Sequence, residues 1–141
     1  MTISEPRLEK SKGLVLVVDD NYFNIVIVKN LLETFGYQVQ TALSGQEAIE
    51  KFEDSINKGF SFFLILMECQ MPLMDGFETT KMLKMSMEVQ KLEPTPIIAF
   101  TASHDERTVQ TCYKSGMVSY LCEPLVKEDL LKVLCQIESQ K

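Results

Sequence analysis

The sequence predicts an α/β fold, a parallel sheet with helices on both faces, and three observations carry that prediction. Residues 14–18, 62–67 and 97–100 are apolar without interruption, the pattern of strands buried on both faces rather than one. Stretches with apolar residues at helical spacing separate these runs. The runs also stop abruptly at polar groups, Asp19, Glu68 and Thr101, as strands do where an open sheet presents reactive groups at its carboxyl edge.

The first run ends in Asp19-Asp20. Residues 21–24 offer capping side chains, and Ile25, Val28, Leu32 and Phe35 recur at helical spacing until Gly36 supplies a left-handed terminus. Residues 37–42 form a short second strand. Ser44 and Glu47 make a capping box for a helix that turns Ala48, Ile49, Phe52 and Ile56 inward. The central run, 62–67, ends at Glu68. Pro72 and Asp75-Gly76 then punctuate a loop before a third helix over about 77–87, with Phe77, Thr80 and Leu83 or Lys84 on its stripe. A polar connector, 88–96, leads to the strand 97–100 and Thr101. Ser103 and Glu106 read as a second capping box, which puts His104 in an exposed first turn with no chemical task. The helix it opens carries Val109, Cys112 and Tyr113 to Gly116. Residues 118–122 are the fifth strand, closed by Glu123-Pro124, and Leu130, Val133, Leu134 and Ile137 mark the last helix.

Five strands alternating with five helices, joined by right-handed crossovers, leave few topologies. The flavodoxin-like (βα)5 order 2-1-3-4-5 sets the switch point between the first and third strands. Asp19 and Asp20 then face Glu68 across one crevice, with Thr101 and Glu123 on the same edge.

A chain of 141 residues supports one domain with one real core. We divide it into a polar lead, residues 1–12, and a domain over 13–141; the lead contains Pro6 and is unlike a secretory leader. A net charge of -6 leaves no basic patch for nucleic acid. Cys69, Cys112, Cys122 and Cys135 are far apart and His104 is the one histidine, so a zinc site is not expected. Cys69 adjoins Glu68, but no base stands beside it in sequence to make it a nucleophile. Reduced thiols, a cytoplasmic setting and no membrane insertion are the expectation.

Four stretches together resemble a known family: Val17-Val18-Asp19-Asp20-Asn21, residues 71–76 reading M-P-L-M-D-G, Phe100-Thr101-Ala102, and Tyr120-Leu121 with Pro124. They resemble the receiver domain of two-component and phosphorelay signalling, in the form found in hybrid histidine kinases. The resemblance runs from about residue 13 to 137. It implies a magnesium ion bound by Asp19, Asp20, the carboxylate ending the third strand and the backbone carbonyl of Gln70. It also implies that this carboxylate accepts phosphoryl from a phosphohistidine, with a Thr or Ser hydroxyl and a Lys holding the phosphoryl oxygens. Thr101 fills the hydroxyl position, although it could simply cap the next turn, and Tyr120 fills that of a switch aromatic.

Two positions depart from the family pattern. The acceptor position holds Glu68 and the lysine position holds Glu123. The extra methylene of a glutamate moves its carboxylate by roughly 1.5 Å, and a misplacement of about 1 Å costs on the order of 10²-fold in rate. Replacing a cation by an anion adds about 4 kcal/mol of repulsion per pair at 4 Å and an effective dielectric of 20. The expectation is a phosphorylation-incompetent, non-enzymatic receiver-like module acting through protein contacts, with magnesium binding weakened or absent. Glu68 then either imitates the phosphorylated state in part or is a relic. Glu123 is expected to swing out, because four carboxylates in one pocket repel. The resemblance implies a histidine kinase or histidine phosphotransfer protein as partner. Self-association through the fourth helix, fifth strand and fifth helix, from His104 to Lys132, is the other expected contact. A working phosphoryl acceptor is the alternative. A flavin- or nucleotide-binding domain ranks lower, since two aspartates stand where a phosphate wants N–H donors.

Overall fold

The computed structural model describes residues 11–103 and 105–140, so most of the polar lead and His104 lie outside the described residues. The elements are β1 (Leu14–Val18), α1 (Tyr22–Thr34), β2 (Gln38–Ala42), α2 (Gly45–Lys58) and β3 (Leu64–Glu68), followed by α3 (Gly76–Val89), β4 (Ile97–Thr101), α4 (Glu106–Ser115), β5 (Ser119–Cys122) and α5 (Lys127–Ser139). The strands are parallel in the order β2-β1-β3-β4-β5. This is the flavodoxin-like order the sequence predicts.

The uninterrupted apolar runs divide between two cores. Leu16, Val18, Ile65, Met67, Ile97 and Ala99 face one layer with Ala48, Phe52, Leu83, Met87 and Cys112. Val15, Val17, Leu64, Leu66, Ile98 and Phe100 face the other with Ile25, Val28, Leu32, Leu130, Val133 and Leu134. Helices α2, α3 and α4 therefore cover one face of the sheet, and α1 and α5 the other. Period-two side chains on a doubly covered strand are apolar at every position for this reason. The edge strands β2 and β5 are covered less completely and hold polar residues: Gln38, Gln40 and Thr41 in one, Ser119 in the other.

Helix boundaries follow from local donors and acceptors. Asn21 Oδ1 accepts from Phe23 N and Asn24 N to open α1, and Ser44 Oγ accepts from Glu47 N to open α2. Two expectations shift. The helix α3 starts at Gly76 and continues to Val89, because Asp75 caps it through Glu78 N at 2.9 Å. The cap of α4 is Asp105 rather than Ser103: Asp105 Oδ1 accepts from Thr108 N at 2.8 Å, while Ser103 donates its hydroxyl to Asp105 Oδ2 at 2.7 Å. Among the described residues, no helix is long and apolar enough to cross a membrane.

Candidate functional site at the carboxyl edge of the sheet

Strand register assembles the site. Val18 pairs with Met67, so the next residues of β1 and β3, Asp19 and Glu68, emerge side by side. Glu68 pairs with Phe100 and Thr101 with Cys122, which brings Glu123 onto the same edge. One carboxylate oxygen each from Asp19, Glu68 and Glu123 lies within 4.8 Å of the others.

Asp19 is buried and held from two directions. Its Oδ1 accepts from Asn21 N at 2.9 Å and its Oδ2 from Asn24 Nδ2 at 3.2 Å. Burial pushes its pKa above the usual carboxylate range; those two donors oppose the shift, and the charges of Glu123 and Asp20 add to it. Glu68 is 9% exposed, and its Oε2 accepts from Cys69 N at 3.0 Å. Burial, then the Glu123 carboxyl facing it, then Asp19, push its pKa up to about 8. At neutral pH the protonated form of Glu68 therefore predominates, and it can present a proton to Glu123.

Glu123 corrects the sequence reading. It is turned into the crevice, half-buried, and its Oε2 is buried without a hydrogen bond among the described residues. Repulsion does not expel it, because burial favours the neutral form of the Glu68 carboxyl it faces. Asp20, by contrast, does not join the cluster: its side chain is exposed, since the chain turns out of β1 toward the α1 cap immediately after Asp19.

Thr101 ends β4 on the same edge of the sheet. Its buried hydroxyl donates to Ser103 O and accepts from Ser103 N, both at 3.1 Å, closing the β4–α4 turn. Gln70 is exposed beyond Cys69, on a loop that encloses a cavity of about 340 Å³ with Met71, Pro72 and Asp75. Tyr120 is half-buried and packs against the core under α2–α4. Two features escaped the sequence reading. Asn24, expected as a cap candidate, reaches back to Asp19, a role its position three residues after Asn21 makes legible. Cys69 and Cys112, 43 residues apart, bring their sulfurs to 3.8 Å in the core, where burial raises both thiol pKa values.

The loop after β3 is shaped by Gly76. A Cβ there would stand 2.1 Å from Glu68 O, so only glycine lets α3 begin against the end of β3, with Gly76 N donating to Cys69 O at 2.9 Å. Beside the acidic cluster, Ile27, Val28, Phe100, Glu123, Pro124 and Leu125 line a cavity of about 430 Å³. Ile27 is exposed on α1 together with Tyr22, Phe23 and Val26. The three clustered donors are all carboxylate oxygens, a set that fits a hard divalent cation such as Mg²⁺.

The model of the response regulator receiver domain matches residues 15–135. The osmosensing histidine protein kinase SLN1 of Saccharomyces cerevisiae is 31% identical over 136 residues, which is 96% of this chain and 11% of that protein. The chain thus spans about a tenth of the length of that curated relative. Among solved structures, the receiver domain of the histidine kinase CKI1 from Arabidopsis thaliana, complexed with Mg²⁺ and BeF₃⁻, superposes with a TM-score of 0.76 at 28% identity, covering 97% of each chain. The receiver domain of the Saccharomyces cerevisiae response regulator Ssk1, co-crystallised with the histidine phosphotransfer signaling protein Ypd1, gives 0.76 at 29% identity, covering 86% of each chain. The chain belongs to the response regulator receiver domain family, and is homologous to the receiver domains of hybrid histidine kinases.

Proposed function

We propose that this chain is a receiver module of phosphorelay signalling that does not accept phosphoryl, turns over no substrate, and acts through protein contacts in the reducing cell interior. The observation that carries this reading is Glu123 facing Glu68. In the family pattern a lysine stands at the first position and an aspartate at the second. A second carboxylate at the lysine position repels the oxygens of any incoming phosphoryl, where a lysine would attract them. The two ion pairs among the described residues, Lys51–Glu47 and Lys58–Asp54, are both on α2. Neither brings a cation to the crevice. Thr101 is already engaged in its own turn. A bound divalent cation would supply charge neutralisation, with Asp19 and Glu68 as its holders.

The partner we propose is a histidine phosphotransfer protein or the matching domain of a histidine kinase. The favoured contact is the exposed apolar stripe of α1, where Phe23 is 78% and Ile27 55% exposed, beside the cavity lined by Pro124 and Leu125. The face over α4, β5 and α5 also exposes Tyr113, Val118 and Leu131, but these residues come from three separate segments. That favours α1 over self-association through the α4–β5–α5 face.

The test has two arms. The protein is incubated with acetyl phosphate and Mg²⁺, and separately with a phosphorylated histidine phosphotransfer protein. The intact mass is expected to stay unchanged; a hydroxylamine-labile gain of one phosphoryl group, absent in Glu68→Gln, would establish a working acceptor instead. In the second arm, Phe23→Asp and Ile27→Asp are expected to weaken binding of that phosphotransfer protein at least about tenfold, as losing an apolar anchor does. Unchanged affinity in both would remove α1 as the docking face.

A further inference from the structure

We infer that Cys69 and Cys112 form a redox-modification site, a dithiol that a small hydroperoxide converts to a disulfide fastening α4 to the end of β3. The inference does not rest on the reading above, since neither thiol belongs to the acidic cluster or to the exposed stripe of α1.

Three features support it. Topology sets the two residues opposite one another: β3 and β4 are neighbours, Cys69 directly follows β3, and Cys112 faces the core from α4, the helix after β4. Their sulfurs stand 3.8 Å apart. A disulfide bond of about 2.05 Å needs each sulfur to move by roughly 0.9 Å, on the scale of a roughly 30° turn about each Cα–Cβ bond. The backbone of Cys69 is held separately, its N donating to Glu68 Oε2 and its carbonyl accepting from Gly76 N, while its sulfur meets the Cys112 sulfur and the Thr101 hydroxyl. Access supplies the third feature. Cys69 lines the cavity of about 340 Å³ in the loop after β3. Both residues are otherwise buried, at 0% and 1% exposure. A molecule the size of H₂O₂ therefore meets Cys69 first, and larger thiols such as glutathione are kept from the product.

One hydroperoxide balances the reaction. The Cys69 sulfur attacks a peroxide oxygen, the O–O bond breaks, and Cys69 becomes a sulfenic acid while its proton leaves in a molecule of water. The Cys112 sulfur then attacks the Cys69 sulfur. The S–S bond forms, the S–OH bond breaks, and the departing hydroxide takes the Cys112 proton as a second water. The two thiols lose two electrons and the peroxide takes both. The new bond lies one residue past Glu68 and beside Thr101, so the module takes a covalent mark at the edge where the family pattern takes phosphoryl.

The test treats the reduced chain with H₂O₂, alkylates the remaining thiols in denaturant and maps proteolytic fragments by mass. Fragments are needed because exposed Met82 and Met85 also gain oxygen under peroxide. Circular dichroism confirms beforehand that each protein is folded. The expected product joins the fragments of Cys69 and Cys112, is lighter than their sum by two hydrogens, and is lost in dithiothreitol. It should form unchanged when Cys122→Ser and Cys135→Ser are combined. In Cys112→Ser, and in Cys112→Ala as a second variant, the link should vanish and dimedone should capture the sulfenic acid of Cys69. Oxidation of the protein lacking Cys122 and Cys135 should raise Tm by at least about 5 °C, since the bond closes a loop between residues 43 apart. Full alkylation of Cys69 and Cys112 after peroxide would overturn the proposal, as would their recovery as sulfinic acids without a link, or a link from either to Cys122 or Cys135. A Tm unchanged or lowered by oxidation would overturn the fastening of α4.

Discussion

Asp105 and Glu68 both sit at the carboxyl edge of the sheet, one just past β4 and the other ending the neighbouring β3, yet their environments drive them in opposite directions. Asp105 is exposed at the N-terminus of α4 and accepts from Thr108 N and the Ser103 hydroxyl, which together hold its carboxyl below the usual range. Glu68 is buried, accepts one backbone N–H, and faces two more carboxyls; its pKa rises to about 8. The difference lies in donors and neighbours, since the two side chains carry the same functional group. The β4–α4 turn is a finished structure. The crevice, by contrast, leaves Glu123 Oε2 buried without a hydrogen bond among the described residues.

The most severe way to break this comparison is to change the shape of the crevice itself. Gly76→Ala places a Cβ 2.1 Å from Glu68 O and 2.9 Å from Cys69 Cα. Backbone atoms cannot yield as a flexible side chain would, so the end of β3 must move away from α3. Overpacking of this kind should cost about 3 kcal/mol or more. Thermal unfolding should then show Tm lowered by roughly 10 °C. A fall under about 3 °C would mean the β3–α3 junction is far more compliant than its hydrogen bond from Gly76 to Cys69 implies.

The second prediction uses pH to read the crevice. Glu68 has a folded-state pKa near 8 against an ordinary value of 4.5. The neutral form is favoured in the folded protein, so its stabilising contribution is complete below about pH 4.5 and is lost as pH rises through 8. Asp19, also raised, acts in the same direction. In chelator, stability should fall by a few kcal/mol between pH 5 and 8.5. Glu68→Gln should flatten that slope and be the more stable protein at pH 8.5. Denaturant melts of both at four pH values decide it; parallel slopes would mean the carboxyl is ionised in the fold.

How far the sequence disclosed all this differs between the two regions. The fold was legible because strands buried on both faces are apolar at every position, and because Gly36, Ser44 and Asn21 mark helix ends with residues suited to them. The meeting of Asp19 with Glu68 was legible too, since topology and strand ends alone determine it. The pose of Glu123 was not. Charge counting pointed it outward, whereas burial makes Glu68 largely neutral and lets the two approach. Asp20 escaped for a related reason: adjacent residues in extended chain point apart, and two consecutive acids cannot be assigned to one pocket from spacing. The cap of α4 turned on a single hydrogen bond, Ser103 to Asp105, which took from Ser103 the acceptor role that the capping-box pattern gave it. Cys69 and Cys112 could be brought together only by tertiary packing.

A gentler change restores the charge the crevice lacks. Glu123→Lys should convert a carboxyl facing Glu68 into a cation, return Glu68 toward an ordinary pKa, and remove most of the loss of stability between pH 5 and 8.5. At pH 7.5 the gain should be about 1 kcal/mol, since a partly buried ion pair recovers only part of its desolvation cost. Glu68→Asp with Glu123→Lys should then take up phosphoryl from acetyl phosphate, where Glu68→Asp alone takes up little. Equal uptake by the two would place the block at Glu68 and leave Glu123 without influence on it.

The smallest effect belongs to the finished side of the comparison and has the opposite sign. Asp105 has a lowered folded-state pKa relative to an ordinary 3.8. What its ionised form contributes is therefore present above that value and lost as pH falls through the folded pKa. Asparagine keeps the oxygen that accepts from Thr108 N but puts an NH2 group where Oδ2 accepts from Ser103, so Asp105→Asn removes the charge and turns the Ser103 hydrogen bond round, as protonation of the aspartate does, while Asp105→Ala removes the hydrogen bond to Thr108 N as well. At pH 7 the Asn variant should melt about a degree or two below wild type and the Ala variant roughly twice as far below. At pH 3 the Asn variant should approach wild type, because protonation takes from the aspartate what the substitution took from the variant. The Ala variant should stay low, since it lacks an acceptor at any pH. Wild-type stability would then climb with pH at the acid end through Asp105 and decline above pH 5 through Glu68. A gap between Asn variant and wild type that persists unchanged at pH 3 would mean the charge of Asp105 is idle, and the opposed slopes would reduce to the crevice alone.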